Sequence, residues 1–267
     1  MEFFDSHAHY NDEKFNEDRE SIIKNVYEEG VTKFICAGYS VESSIQALKI
    51  ANEHDFIYTT LGVSPNDVKE SIEETEKDIE EIKKIILEDR KNNSKPQIVG
   101  IGEIGLDYYW NKENKEVQKW AFIKQIELAN ELKLPIVIHT RDAVADTISV
   151  LKEYNVIKHG VFHCCPQNIE LVKEGLKLGF YISCAGPYTF KSAKNSEDII
   201  KLIPDDKILI ETDSPYLAPE PKRGTRNDSR NVKYIAEKIA KAKEKDLETV
   251  AQMTYKNACQ IFEIWQW

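Results

Sequence analysis

Two histidines stand two residues apart near the start of the chain, in Asp5-Ser6-His7-Ala8-His9. On an extended strand, alternate residues point to the same face, so both imidazoles can approach one cation. Alone, such a pair is as compatible with two structural histidines as with a metal site. Four further residues change that balance. Glu103 lies in the glycine-rich Gly100-Ile101-Gly102-Glu103-Ile104-Gly105-Leu106-Asp107, where missing side chains leave room for close approach to the backbone. His139 closes the apolar run Pro135-Ile136-Val137-Ile138, His163 follows Gly160-Val161-Phe162, and Asp213 follows Ile208-Leu209-Ile210-Glu211-Thr212. Four of the six histidines therefore stand at the ends of apolar runs; His54 and His159 do not and read as surface residues without a ligand role. Imidazole and carboxylate donors in this number suit two divalent cations sharing one bridging carboxylate, and a cation pair of this kind favours hydrolysis by activated water.

The runs that carry these residues are short and β-rich. Eight are expected as strands: Phe3–His7, Lys33–Ala37, Ile57–Gly62, Gln97–Glu103, Pro135–His139, Gly160–His163, Phe180–Cys184 and Lys207–Glu211. Most are continuously apolar, as strands buried on both faces of a parallel sheet are. Helical periodicity fills the intervals. Ile79, Ile82, Ile85 and Ile86 mark one helix, and Trp120, Ile123, Ile126, Leu128 and Leu132 mark another. The charge-dense stretch from Glu70 to Lys91 reads as the solvated face of the first of these. Strict alternation with eight strands predicts an α/β fold, a single (β/α)8 TIM-type barrel over residues 1–267, with the metal site at the carboxyl ends of the strands. An open doubly wound sheet is the competing architecture, but no GxGxxG loop follows the first strand. Trp265 and Trp267 are expected to pack on the barrel exterior.

The chain has 267 residues, is 41% apolar and carries a net charge of −10, which disfavours a protein that coats duplex DNA through a broad basic surface. Acidity overall leaves open a nucleic acid bound in a cleft whose field is set by cations and a few arginines. No run of about 18 apolar residues is present, and the first residues do not read as a secretory signal, so a cytoplasmic protein with no membrane association is expected. The five cysteines, Cys36, Cys164, Cys165, Cys184 and Cys259, form no CxxC pair and read as reduced thiols.

Taken in order, Asp5-Ser6-His7-Ala8-His9, Gly102-Glu103-Ile104-Gly105-Leu106-Asp107-Tyr108, Ile138-His139-Thr140-Arg141-Asp142-Ala143, Phe162-His163-Cys164 and Glu211-Thr212-Asp213-Ser214-Pro215-Tyr216-Leu217 resemble the motifs of the TatD family of metal-dependent deoxyribonucleases. The resemblance spans nearly the whole chain. It implies that His7, His9, Glu103 and Asp213 hold one cation, and that Glu103, His139 and His163 hold the second, with Glu103 bridging. It further implies that Asp213 orients or deprotonates the attacking water, and that DNA phosphodiester bonds are cut, in several relatives from the 3′ end. The ions are Mg, Mn, Zn, Co, Ni or Fe, since histidine donors suit many of these. A monomer without a stable protein partner is expected.

Arg141 and Arg223 are the expected phosphate contacts, because a guanidinium fork matches phosphate oxygens. Lys222 and Arg226 fit either that role or a solubilising patch. Tyr108, Tyr109 and Trp110 fit either stacking on bases or ordinary loop packing. Relatives carry histidine in a Gly-x-His-Pro motif where this chain has Gly62-Val63-Ser64-Pro65, which puts Ser64 at an expected substrate contact. Cys164-Cys165-Pro166 and Ser229 depart from the family pattern as well, the latter replacing a proline. These departures keep two alternatives in play: hydrolysis of another ester, lactone, amide or aminoacyl ester on the same scaffold, and a metal-binding barrel without turnover.

Overall fold

In a computed structural model, residues 1–93 and 95–264 are described; Trp265 and Trp267 lie outside them. Eight parallel strands form one sheet in chain order: β1 (Phe3–Ala8), β2 (Val31–Ala37), β3 (Ile57–Leu61), β4 (Ile98–Asp107), β5 (Ile136–Arg141), β6 (Gly160–Phe162), β7 (Tyr181–Cys184) and β8 (Ile208–Ile210). Helices alternate with them: α1 (Arg19–Glu28), α2 (Val41–Glu53), α3 (Ile72–Asn92), α4 (Lys115–Leu132), α5 (Val144–Glu153), α6 (Ile169–Lys177) and α7 (Ser196–Leu202). Two more, α8 (Val232–Lys243) and α9 (Leu247–Ile261), follow β8. The architecture is the expected (β/α)8 barrel. Among the described residues no helix is long and apolar enough to cross a membrane.

Two compact units make up the chain, one of Met1–Ile35 together with the chain from His163 on, the other of Cys36–Phe162. In the first unit β7 pairs with β8 in register from Ile182↔Ile208 to Cys184↔Ile210. The chain beyond β8 is tied to the end of β1: Asp213 N–H donates to the His7 carbonyl at 2.9 Å and His9 N–H to the Ser214 carbonyl at 2.6 Å. β1 and β8 are buried along their whole length; β8 is accordingly apolar throughout, while β1 buries Asp5, Ser6 and His7 among its apolar residues.

In the second unit β3, β4, β5 and β6 pair in turn. β4 does not end at Glu103, where the expected strand Gln97–Glu103 stops, but runs four residues further and stays paired with β5 through Asp107↔Arg141. Between Ile101↔Ile136 and Ile104↔Ile138 the register slips, so Gly102 and Glu103 together face Val137. Such a bulge re-aims the side chain it carries. Both flanking glycines are forced by contact. A Cβ on Gly102 would lie 2.6 Å from Val137 Cβ, and one on Gly105, at φ +139°, would lie 2.0 Å from the His139 carbonyl oxygen.

Helix α3 begins at Ser71, whose hydroxyl accepts from Glu74 N–H in a capping arrangement, and buries Ile79, Ile82 and Ile86. Ile85 is only half-buried, and the charged residues between face solvent as expected. In α4 the expected core positions Trp120 and Ile123 are half-buried, whereas Gln118 and Gln125 are buried. The glutamines are inside because each clamps a backbone segment. Gln125 accepts from Val63 N–H at 2.8 Å and donates to the Val63 carbonyl at 2.9 Å. Gln118 accepts from Asp107 N–H at 2.9 Å and donates to the Asp107 and Asn111 carbonyls.

Gly105→Ala is expected to destabilise the protein by ~3 kcal/mol or more, because both the positive φ and the contact with His139 are violated. Urea unfolding measures this, and a loss under about 1 kcal/mol would contradict the close approach of β4 to β5.

Candidate metal centre

The first unit brings His7, His9 and Asp213 together, with ligand-capable atoms all within 4.8 Å of one another. His7 Nε2 and His9 Nε2 are 3.1 Å apart, and Asp213 Oδ1 is 3.2 Å from His9 Nε2 and 3.8 Å from His7 Nε2. The His7 ring also stacks on His163, with centroids 4.0 Å apart. Two imidazole nitrogens and a carboxylate oxygen converging on one point form a donor set that fits a divalent cation. Asp213 reaches the group with φ +57°, a left-handed conformation uncommon outside glycine and tolerated best by Asp and Asn. Burial opposes its ionisation, yet the His9 hydrogen bond and the charges of His9, His163 and His7 prevail and hold the carboxyl below its usual range.

Buried acids hold these groups in place. Asp5, within β1, is fully buried and accepts from Thr212 N–H at 2.9 Å, Thr212 Oγ1 at 2.5 Å, Ser229 Oγ at 2.6 Å and His7 N–H at 3.3 Å. Desolvation dominates its titration and pushes the carboxyl up to about 7, against the hydrogen bonds of Ser229 and Thr212. One carboxylate thus joins the strand of His7 to the residue before Asp213. Ser229, the departure from the expected proline, is explained here: Tyr10 Oη lies 3.0 Å from both its hydroxyl and its N–H, and that hydroxyl donates to Asp5. A proline would supply neither donor. Asn227 fastens the same loop, donating to the Thr212 and Tyr216 carbonyls. Glu211, also fully buried, accepts from Cys164 N–H at 2.6 Å and places Oε1 3.3 Å from His163 Nδ1. A carboxylate behind an imidazole favours the ring's positive charge and helps place the ring.

The second unit carries Glu103, His139 and Arg141. Glu103 Oε1 lies 2.9 Å from His139 Nδ1, and the other ring nitrogen, Nε2, lies 3.0 Å from Asp107 Oδ2. His139 therefore has a carboxylate at each nitrogen. Burial favours neutral Asp107, but hydrogen bonds with His139, Trp110 N–H and Asn66, together with the His139 charge, push its carboxyl down to about 2. Asp107 Oδ1 also accepts from Tyr109 N–H at 2.8 Å and Trp110 N–H at 2.9 Å.

The family described as TatD related DNase matches residues 4–263. The chain belongs to the TatD family. TatD-family relatives include the uncharacterized metal-dependent hydrolase YabD of Bacillus subtilis (strain 168), 41% identical, with 98% of this chain and 99% of that protein aligned. The uncharacterized metal-dependent hydrolase MJ1582 of Methanocaldococcus jannaschii is 34% identical, with 98% of each covered. A solved TatD homolog from Escherichia coli k12, YJJV, superposes with a TM-score of 0.90 at 23% identity over 98% of both chains, which places the fold. This TatD protein is a metal-dependent hydrolase, and its His, Glu and Asp clusters are candidate metal sites.

The remaining predicted residues divide clearly. Arg141 and Arg223 are exposed, and among the described residues neither has a hydrogen-bond acceptor or ion-pair partner; each lies instead on an aromatic face, Arg141 3.9 Å from the Tyr109 ring centroid and Arg223 4.2 Å from that of Phe190. The other arginines are engaged: Arg226 is paired in bidentate fashion with Asp18, Arg230 with Asp228 and Glu29, Arg19 with Tyr10 and Asn16, and Arg90 with the Leu132 carbonyl. Ser64 is buried and donates to Asp67 at 2.6 Å while accepting from Asn66 N–H, so it caps its own turn. Tyr108 donates to Asp146 at 2.7 Å. Cys165 and Cys184 are buried, and burial keeps both thiols far above their ordinary range, as structural cysteines. His159 is exposed, whereas His54, expected at the surface, is half-buried at the end of α2 with its ring 5.6 Å from Phe56.

Asp5, Glu211 and Asp107 were not among the predicted functional residues. Each had a local signal: Asp5 stands two residues before His7, Glu211 two before Asp213, and Asp107 four after Glu103. Asp5→Ala strands the Thr212 N–H and the Thr212 and Ser229 hydroxyls, each costing about 1–3 kcal/mol when buried without an acceptor. A loss of at least about 3 kcal/mol is expected in chemical denaturation; a near-neutral variant would show that Asp5 holds nothing.

Proposed function

We propose that the protein is a deoxyribonuclease that hydrolyses phosphodiester bonds, with two divalent cations per chain, cutting from the 3′ end. His7, His9, Glu103 and Asp213 would hold one cation, and Glu103, His139 and His163 the second, Glu103 serving both. The observation that carries a phosphate substrate is the pair Arg141 and Arg223. Four arginines spend their donors on protein acceptors, whereas these two keep all five N–H groups available and are held flat by aromatic rings. A guanidinium so prepared binds phosphate oxygens with little ordering cost.

When bound, the cations supply Lewis acidity toward the phosphate and lower the pKa of water. The residues do the rest. Asp213, kept ionised by its three histidine neighbours, takes the proton of the attacking water on a carboxylate oxygen. Asp107 holds the His139 ring in one tautomer, leaving the opposite nitrogen lone pair for the metal, and Glu211 lies behind the His163 ring as a fixed negative charge. Arg141 and Arg223 hold and neutralise phosphate. Ser64 and Tyr108, whose hydroxyls are committed to Asp67 and Asp146, contribute by shaping the loops that flank the substrate.

Purified protein with Mg²⁺ or Mn²⁺ is expected to shorten an end-labelled DNA strand; failure on DNA with every divalent cation tried removes the nuclease reading. Asp213→Asn is expected to lower kcat by ~10²–10⁴ with the fold retained by circular dichroism. In elemental analysis, Glu103→Gln is expected to bring bound metal from about two ions per chain to one or fewer, following the bridging role. Unchanged stoichiometry would exclude that role.

A further inference from the structure

Immediately after β4 the chain turns and displays two neighbouring aromatics, Tyr109 and Trp110. Trp110 is 68% exposed and Tyr109 45%, so neither is spent on packing. Burying a tryptophan is favourable, and leaving one in water next to another ring is a cost that a fold does not need. The turn is nonetheless firmly held. Both backbone N–H groups donate to Asp107 Oδ1, and the other oxygen of that carboxylate lies 3.0 Å from His139. The rings meet edge to face with centroids 4.8 Å apart, and the Arg141 guanidinium lies over Tyr109 and 5.5 Å from the Trp110 centroid. Two exposed aromatics and a histidine ligand candidate are therefore tied together through one carboxylate, with a flat cation lying over the rings.

The geometry points to a base-stacking ledge: we propose that Trp110, backed by Tyr109 and Arg141, stacks on a nucleobase adjacent to the phosphodiester bond being cut. The proposal rests on the nuclease reading above and adds the residues that grip the base. Stacking on aromatic and guanidinium planes suits any nucleobase, because every base has a π face. Arg141 serves both parts of a nucleotide, its plane continuing the stack and its unpaired N–H groups reaching a phosphate oxygen. Asp107 makes the ledge rigid relative to His139, so a base seated there sets where its phosphate falls. An apolar protein partner would find the same rings beside an unpaired cation and the exposed Lys112 and Glu113, a poor surface for dehydration.

The test uses the full-length, metal-loaded protein and a fluorescent DNA oligonucleotide, compared with the same strand made abasic at one of the three nucleotides nearest the cut. Trp110→Ala is expected to raise KM roughly tenfold on the intact strand, with a smaller change in kcat. Trp110→Phe is expected to restore most of the loss. At one abasic position wild type and Trp110→Ala should converge, since the partner of the ring is gone. Equal KM values for wild type and Trp110→Ala on the intact strand overturn the ledge and leave the nuclease reading standing. The same penalty at every abasic position also overturns it, by showing that Trp110 acts through the protein rather than the base. No oligonucleotide cleavage by wild type removes both.

Discussion

A carboxylate withdrawn from water has to be given donors, and that requirement organises this molecule. Asp5, Asp107 and Glu211 are all fully buried, and none is itself a predicted metal ligand. Each collects hydrogen bonds from segments far apart in sequence: Asp5 from Thr212 and Ser229, Glu211 from Cys164, Asp107 from Asn66, Tyr109 and Trp110. Because an unmet buried charge costs several kcal/mol, these segments cannot drift without loss of stability. The loops that carry the ligands are thereby fixed by the same bonds that make burial of the acids tolerable.

This arrangement also sets the chemistry of the imidazoles. A histidine offers a lone pair only on the nitrogen that carries no proton, and its tautomer follows the partner of the other nitrogen. Asp107 beside His139 imposes that choice, and in the other unit Glu211 sets a negative charge behind His163. The bulge of β4 at Gly102 and Glu103 has a related effect, since the extra residue turns Glu103 toward His139 while the strand goes on to carry Asp107. Chemistry at the strand ends therefore depends on local irregularity of the strands as much as on their regular pairing.

The arginines show the complementary case. Charge on this acidic chain is mostly consumed internally: Arg226 and Arg230 brace the loop after β8 through Asp18, Asp228 and Glu29. Arg141 and Arg223 escape that fate because an aromatic face, not a carboxylate, is their nearest neighbour. Cation–π contact holds the plane without using any N–H donor. Position in sequence singles out Arg141, two residues beyond His139, and Arg223, before Gly224, and leaves Arg226 between a phosphate contact and a surface charge, which its pairing with Asp18 explains.

The order of apolar runs determined the eight strands and the barrel, because burial on both faces leaves a composition that needs no tertiary knowledge to read. The candidate donors it points to, His7, His9, His139, His163 and Asp213, stand at or beside strand ends. What it left open is instructive. The run Gln97–Glu103 reads as the whole of β4, whereas pairing with β5 carries the strand on to Asp107. The helical period does not single out Gln118 and Gln125, and only the backbone groups of Asp107 and Val63 make their burial worthwhile. Ser229 looked like a departure until Asp5 and Tyr10 supplied its partners. Hydrophobic pattern is local and survives in sequence, but a hydrogen bond between Asp5 and Ser229 joins residues more than two hundred positions apart, and only the folded chain decides which donor meets which acceptor.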